Sequence, residues 1–220
     1  DKQYPSIMSW EQLREMSELV DVYNHSVTHQ HLNDKTKEVL LNEITSAQLR
    51  LKNELFQDIK FFAYPYGEFD EKAYHLIKEL GYTGFGQHSG AVGATSDFLN
   101  LPRFPMASSY AEMDSFVMKI NTLPMPVKNE EPKFMAISGS SNPALRINFS
   151  RPLTGNERYQ FACYVSGQEM PDLIWLNSES VTVQAKEPLP QGRSRYNCTM
   201  PSKEKGQYYW YSKAWLSAAN

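Results

Sequence analysis

The sequence has few cysteines, no long apolar run and no excess of basic charge. Cys163 and Cys198 are too few for a disulfide-rich scaffold and too far apart for a CxxC redox or zinc motif, although they could form one bridge. No apolar run approaches the roughly 20 residues that a membrane span requires. The net charge of -3, without a basic patch interleaved with aromatic residues, argues against a nucleic-acid partner.

What the chain does have is the composition of a globular protein. Hydrophobic residues make up 41% and charged residues 21% of the 220 positions, which excludes a disordered tail. The length suits one large domain or two small ones, and we expect two. The opening DKQYPSIMSW lacks the basic, apolar and small-residue regions of a signal peptide, so we expect a mature or truncated chain.

The first half alternates helical and extended patterns. Ser9 and Ser109 begin predicted capping boxes, Asp70 is a predicted helix N-cap, and apolar spacing predicts a further helix from about Lys35 to Leu55. The strands expected between these helices are VDVYNH, KFFAYP and YTGFG. Alternating helices and strands predict an α/β region with a parallel sheet covered by helices.

The second half differs from the first in composition and in its pattern of apolar residues. LPMPVKNEEP has the composition of a linker, and short aromatic or β-branched runs follow it, separated by Gly, Pro, Asn and Ser. This pattern predicts an all-β sandwich. We expect the α/β domain to cover residues 1–127 and the sandwich to cover residues 128–220, with both cysteines in sandwich strands.

The segment NHSVTHQHL contains a candidate metal-binding pair. His25 and His29 are four residues apart, and if the chain turns helically after the strand, both imidazoles project to one side and can chelate one divalent ion. Their position at a predicted strand end favours a site, and Asn24, Ser26 and Thr28 could orient the rings. Exposed or helix-capping histidines are the alternative.

The segment YPYG forms a predicted rigid aromatic turn after a strand. Tyr64, Pro65, Tyr66 and Gly67 could present a backbone N–H and a ring at a pocket wall, or could simply close a loop packed by two tyrosines.

Together, HSVTH and YPYG resemble two motifs of the polysaccharide deacetylase family, also called the NodB homology family. HSVTH resembles the second motif, whose histidines bind the metal, and YPYG resembles the third, which forms one wall of the substrate groove. The resemblance covers roughly residues 4–120 and is best for members acting on poly-N-acetylglucosamine or similar exopolysaccharides. It implies a (β/α) distorted barrel, present here in part, and does not extend to the sandwich.

Two departures from the family pattern matter for activity. The first motif, a Thr-Phe-Asp-Asp strand that supplies a metal-binding aspartate and the general base, has no counterpart in this sequence. The arginine that usually precedes the third motif's proline by two residues is replaced by Ala63. These departures predict either a fragment of a longer protein or an inactive domain.

The resemblance implies a hydrolase that removes N-acetyl groups from a polysaccharide. A divalent ion, with zinc favoured over nickel, cobalt or iron, would be held by His25, His29 and the absent aspartate, and metal-bound water would attack the acetamide carbonyl. The backbone N–H of Tyr66 would stabilise the oxyanion. Tyr64, Pro65 and Tyr66 would contact the substrate.

Two residues elsewhere are candidates for the remaining catalytic roles. His88 is the candidate general acid that protonates the departing amine, with an ordinary loop histidine as the alternative. Arg103 could replace the missing arginine, with a surface or interdomain salt bridge as the alternative. His31 and His75 are interpreted as incidental, because the former is off the chelating spacing and the latter lies in an amphipathic helix.

The expected partner is therefore an N-acetylated polysaccharide in an extracytoplasmic compartment, and the oligomeric state is left open. The main alternative is a catalytically inactive, deacetylase-like protein for carbohydrate binding or adhesion. A metallopeptidase is disfavoured because the HExxH glutamate is missing. In the aromatic segment QYYWYSKAW, the outward face is expected to meet the α/β domain, a sugar polymer or solvent.

Overall fold

The computed structural model describes residues 7–139 and 141–217. The chain divides into two compact units, the first formed by residues 1–85 and 98–100, and the second by residues 86–97 and 101–220. The boundary predicted near residue 128 lies within the second unit, and as a division between functional domains it stays a prediction.

The first unit is the α/β region expected from the sequence. Its elements are α1 (Trp10–Glu15), α2 (Lys37–Leu55), β1 (Phe61–Ala63), a 3-10 turn (Pro65–Gly67), α3 (Glu71–Glu79) and β2 (Thr83–Phe85). Strands β1 and β2 are parallel, and Asn24 adds one parallel bridge to Phe62 of β1. The strand predicted over VDVYNH is therefore wrong in extent, because among these residues only Asn24 joins the ladder.

Helix starts in this unit follow their capping residues. Ser9 caps α1 through a complete capping box with Gln12, and Asp70 accepts a hydrogen bond from the backbone N–H of Ala73 at the start of α3. Both features confirm the sequence predictions. Helix α2 begins after Thr36, whose side chain accepts from the backbone N–H of Val39.

The core of the first unit lies between the short parallel sheet and the helices. Residues buried there with no solvent exposure are Leu32, Leu40, Ile44, Phe62, Tyr64, Ala73 and Ile77. Gly84 of β2 is needed for a close approach, because a Cβ at this position would lie 2.3 Å from the carbonyl oxygen of Leu99.

The second unit is mainly antiparallel β-structure. Its elements are a 3-10 turn (Ser108–Tyr110), α4 (Met113–Ile120), β3 (Leu123–Pro124), β4 (Val127–Glu131), β5 (Ala136–Ile137), β6 (Ala144–Phe149), α5 (Gly155–Gln160), β7 (Ala162–Val165), β8 (Asp172–Asn177), β9 (Ser180–Gln184), β10 (Gly192–Pro201) and β11 (Tyr208–Ser217). Helix α4 has Glu112 at its N-cap instead of Ser109, because residues 108–110 form a separate turn in which Ser108 has a φ of 53°.

Two sheets form a sandwich around one core. The order is β3-β11-β10-β7 in the first sheet, with β5 also on β11, and β4-β6-β9-β8 in the second. Side chains from both sheets meet in a single cluster that includes Ile147, Val183, Tyr196 and Trp215. Cys163 of β7 and Cys198 of β10 are directly opposite and form a disulfide, which confirms that the two cysteines pair.

Successive side chains of the aromatic strand β11 face opposite sides of the sheet. Tyr209 and Tyr211 pack against the sandwich core on one face. On the other face, the Trp210 ring meets Phe104 of the same unit, with centroids 5.4 Å apart and planes at 88°. Tyr208 remains 40% exposed. Part of the outward aromatic face is therefore covered from within the second unit.

Candidate functional site

The carboxyl ends of the parallel ladder bring His25 next to β1. The backbone N–H of Asn24 donates to Phe61 O at 3.2 Å, and that of Ala63 donates to Asn24 O at 2.9 Å. His25 therefore leaves the ladder beside Ala63, and its Nδ1 lies 2.7 Å from the Ala63 carbonyl oxygen. Because a carbonyl can only accept, Nδ1 carries the proton, and in the neutral ring Nε2 is the nitrogen with the lone pair.

His29 returns to the same place through a loop. The ring centroids of His25 and His29 are 4.7 Å apart, with planes at 67°. The helical turn expected between them is wrong, because Ser26 and His29 have left-handed φ values of 66° and 55° and no helix forms between residues 25 and 29. The rings meet by way of a tight irregular turn.

Side chains at the ladder end order the main chain of this loop. The Oδ1 of Asn24 accepts from the backbone N–H of Ser26 at 3.0 Å, and the Oγ of Ser26 accepts from that of His29 at 3.1 Å. Asn24 is fully buried and its Nδ2 donates to Ile44 O at 2.8 Å. These contacts fix the loop backbone, whereas the sequence interpretation had them orienting the rings.

Glu43 of α2 anchors the middle of the loop, which the sequence did not reveal. Its Oε2 accepts from the backbone N–H groups of Val27 and Thr28 at 3.1 and 2.9 Å, and its Oε1 accepts from Thr28 Oγ1 at 2.9 Å. Burial acts to raise the pKa of Glu43, but hydrogen bonds from Thr28, Gln30 and Val27 outweigh it and lower the pKa. The carboxylate therefore stays ionised under the loop.

The YPYG segment forms the 3-10 turn after β1. Tyr64 is fully buried, with its hydroxyl donating to Leu99 O at 3.0 Å, and Pro65 is also buried. These two residues support the turn, and their direct contact with a substrate stays a prediction. Tyr66 is partly buried and has a left-handed φ of 58°, which turns its ring towards the histidines.

Tyr66 lies between two histidine rings. Its ring meets His29 edge-on, with centroids 4.6 Å apart, and stacks on His31 at 4.2 Å with planes only 12° apart. The Nδ1 of His31 lies 2.5 Å from Oε2 of Glu68, whose side chain is 4% exposed. His31, interpreted from its spacing as incidental, is therefore part of this ring array.

The comparison with known proteins agrees with the motifs. Residues 2–85 match the polysaccharide deacetylase family. These residues belong to that family. The match ends at Phe85, which is also the end of β2 and of the first continuous segment of the first unit. No curated protein matches the chain significantly.

Several solved structures are similar to part of the chain. The Streptococcus pyogenes deacetylase PplD, in complex with acetate, aligns at 24% identity over 46% of this chain and 46% of its own, with a TM-score of 0.42. A de-N-acetylase from Aggregatibacter actinomycetemcomitans aligns at 18% identity over 44% and 47%, with a TM-score of 0.38. PcoC, a methionine-rich copper resistance protein from Escherichia coli, aligns at 16% over 44% and 100%, with a TM-score of 0.32.

The chain thus aligns with less than half the length of either deacetylase. Among the residues described in the deacetylase region and the sandwich, no group of three or more His, Cys, Asp or Glu side chains is arranged to hold a metal ion. His25 and His29 provide two candidate ligands. None of the helices formed by residues 7–139 and 141–217 has both the length and the apolar character of a membrane span.

His88 and Arg103, the remaining site candidates, lie outside the deacetylase match, in the second unit. The backbone N–H of Arg103 donates to His88 O at 2.9 Å, and its Nε donates to Gly86 O at 2.8 Å. Burial, followed by the positive charges of Lys213 and Arg195, lowers the pKa of His88 to about 4. Its ring is neutral at pH 7, so the general-acid role stays a prediction that requires protonation during the reaction.

Proposed function

We propose that this protein takes part in the metal-dependent hydrolysis of N-acetyl groups on a polysaccharide. The observation that carries the proposal is the pair of imidazoles at the carboxyl end of the parallel ladder, with ring centroids 4.7 Å apart. Sites in open α/β sheets form at this end of the strands. The family match over residues 2–85 supports this reaction class.

The two histidines suit a divalent ion. The hydrogen bond from His25 Nδ1 to the Ala63 carbonyl sets the tautomer that leaves Nε2 as the ligating nitrogen, as is common for metal-binding histidines. Imidazole ligands suit zinc, and also nickel, cobalt or iron. A bound ion supplies polarisation of an acetamide carbonyl and acidifies water towards a pKa of about 7. The third protein ligand and the general base would be the aspartates of the family's first motif.

The chain's own residues then bind and orient the substrate. The Tyr66 ring, placed against His29, would line the groove beside the reacting acetamide. The backbone N–H of Tyr66 would donate to the developing oxyanion, an interaction whose loss typically costs about 3 kcal/mol of barrier. The roles of His88 as general acid and of Arg103 as the replacement arginine stay predictions from the sequence.

We also propose an extracytoplasmic location. The disulfide between Cys163 and Cys198 supports this, since such bonds persist mainly in oxidising compartments. An N-acetylated exopolysaccharide is present in the same compartments, and the net charge of -3 suits a neutral or cationic polymer better than a polyanion.

The test measures zinc and acetate in the full natural protein. We expect about one zinc ion per chain and acetate release from N-acetylglucosamine oligomers. The double substitution His25→Ala with His29→Ala should abolish both. His75→Ala is the matched control, because the His75 side chain on α3 is 53% exposed and its Nε2 lies 3.6 Å from Oε1 of the exposed Glu71.

The outcomes distinguish deacetylation from carbohydrate binding without catalysis. Unchanged zinc content in the double variant would show that the site lies elsewhere. Oligomer binding without acetate release, in protein that carries zinc, would instead establish the non-catalytic carbohydrate-binding function.

A further inference from the structure

The ring array beside the histidine pair continues beyond the residues that the family motifs assign. It runs from His25 to His29, to Tyr66 and to His31, with centroid separations of 4.7, 4.6 and 4.2 Å. Its outer end is held by the contact of His31 with Glu68. His31 thus connects the turn of the third motif to the loop of the second.

We propose that His31 is a positioning residue that holds the Tyr66 ring against His29 and thereby sets the wall of the sugar-binding groove. The inference rests on the proposed deacetylase function for its substrate, an N-acetylated sugar ring. His31 is not a ligand in this proposal, and it acts on the reaction only through Tyr66.

The geometry of the stack supports this role. Planes at 12° and centroids at 4.2 Å correspond to parallel stacking of His31 on one side of the Tyr66 ring. His29 meets the same ring at 61°. Tyr66 is therefore packed by one histidine on its face and by another edge-on, so that rotation of its ring about χ1 would break both contacts.

Glu68 explains why the exposed His31 keeps one orientation. The His31 side chain is 61% exposed, and an exposed ring usually samples several rotamers. The Glu68 carboxylate is buried and comes from the same turn as Tyr66, following Gly67 directly. A contact of 2.5 Å to a fixed carboxylate fixes His31 in the orientation that stacks.

Two substitutions separate the stack from the contact with Glu68. His31→Phe keeps an aromatic ring but removes the nitrogen that contacts Glu68. His31→Gln keeps a donor for Glu68 but removes the ring. His75→Ala again serves as the control, and each variant is first checked for an unchanged circular dichroism spectrum and zinc content.

The first readout does not depend on activity. In the full natural protein with ¹³C-labelled tyrosine, the Tyr66 ring signal is identified by its loss in Tyr66→Phe. We expect His31→Gln to shift this signal, because the ring current of the stacked imidazole is lost, and His31→Phe to keep it displaced. An unchanged Tyr66 signal in His31→Gln would overturn the proposal.

The second readout is the split between KM and kcat on N-acetylglucosamine oligomers. His31→Gln should raise KM by about tenfold with a smaller change in kcat, and His31→Phe should restore most of the difference. An equal rise in KM in both variants, in His31→Phe protein whose Tyr66 signal stays displaced, would overturn the proposal, because a retained stack would then not restore substrate binding. If the natural protein releases no acetate, the proposed function fails, while the Tyr66 signal still decides the positioning role.

Discussion

The buried ring of His88 links stability to pH at the scale of a single residue. Its pKa is lowered from an ordinary 6.5 to about 4, first by burial and then by Lys213 and Arg195, with Asp97 acting in the opposite direction. The folded state therefore binds this proton less readily than the unfolded state. The contribution of the neutral His88 ring to the free energy of unfolding is therefore fully present above about pH 6.5. It is lost as the pH falls from there towards 4.

We expect His88→Gln to flatten the acid branch of the stability curve. The melting temperature of the natural chain should fall more between pH 7 and pH 4 than that of the variant, because glutamine does not gain a proton in that range. Calorimetric melts at half-unit pH steps provide the measurement. Parallel curves for the two proteins would contradict the assignment.

The residues of the site differ in how far the sequence could predict them. The spacing of His25 and His29 predicts their proximity, although the two left-handed residues that produce it leave no clear pattern. Glu43 could have been suspected, since it lies beside Ile44 and three residues after Leu40 on the apolar face of α2, where an unpaired carboxylate is costly. The role of His31 depends on the turn around Tyr66, which spacing alone does not encode.

At the scale of elements, the loop from Asn24 to His29 depends on α2. The Glu43 carboxylate accepts three hydrogen bonds from this loop, two of them from backbone N–H groups. The helix thus stabilises the position of the histidine pair, although it contributes no candidate ligand.

We expect Glu43→Leu to destabilise the chain by about 2 kcal/mol, because it removes the charged acceptor of the partly buried hydrogen bonds from the Val27 and Thr28 backbone N–H groups. Glu43→Gln should cost less, since its amide oxygen can still accept. Urea unfolding measures both, and amide hydrogen exchange at Thr28 should rise most in the leucine variant. Equal stability of the two variants would show that the carboxylate does not anchor the loop.

Local signals predicted helices better than the short strands. Ser9 and Asp70 specify helix starts through hydrogen bonds within a few residues, so the sequence contains the necessary information. The VDVYNH strand is reduced to the bridge at Asn24, because ladder formation requires distant partners in register. Ser109 fails as a cap since residues 108–110 form their own turn.

At the scale of the whole molecule, residues before residue 128 pair with and pack on the sandwich strands. Strand β3 pairs in parallel with β11, and Phe104 packs on Trp210 of β11. The change from helical spacing to short β-branched and aromatic runs, after the proline-containing segment LPMPVKNEEP, predicts where the antiparallel strands begin. It could not predict these contacts, because they join segments roughly 90 to 110 residues apart along the chain.

We expect a fragment of residues 128–220 to melt at least about 5 °C below a fragment of residues 101–220, because the longer one retains β3 and the cover on Trp210. Thermal melts followed by circular dichroism provide the comparison. Phe104→Ala in the longer fragment should reproduce part of the decrease. Identical melting temperatures would show that residues 128–220 form an independent module.

The acceptor that orients His25 is a main-chain atom, the carbonyl oxygen of Ala63. A point mutation at position 63 replaces the side chain but leaves this oxygen in place, whereas a side-chain acceptor would be lost by one codon change. What the orientation requires is the register between Asn24 and β1, which two backbone hydrogen bonds maintain. Substitutions at position 63, even between residues as different as arginine and alanine, therefore retain the backbone acceptor that orients the His25 ring.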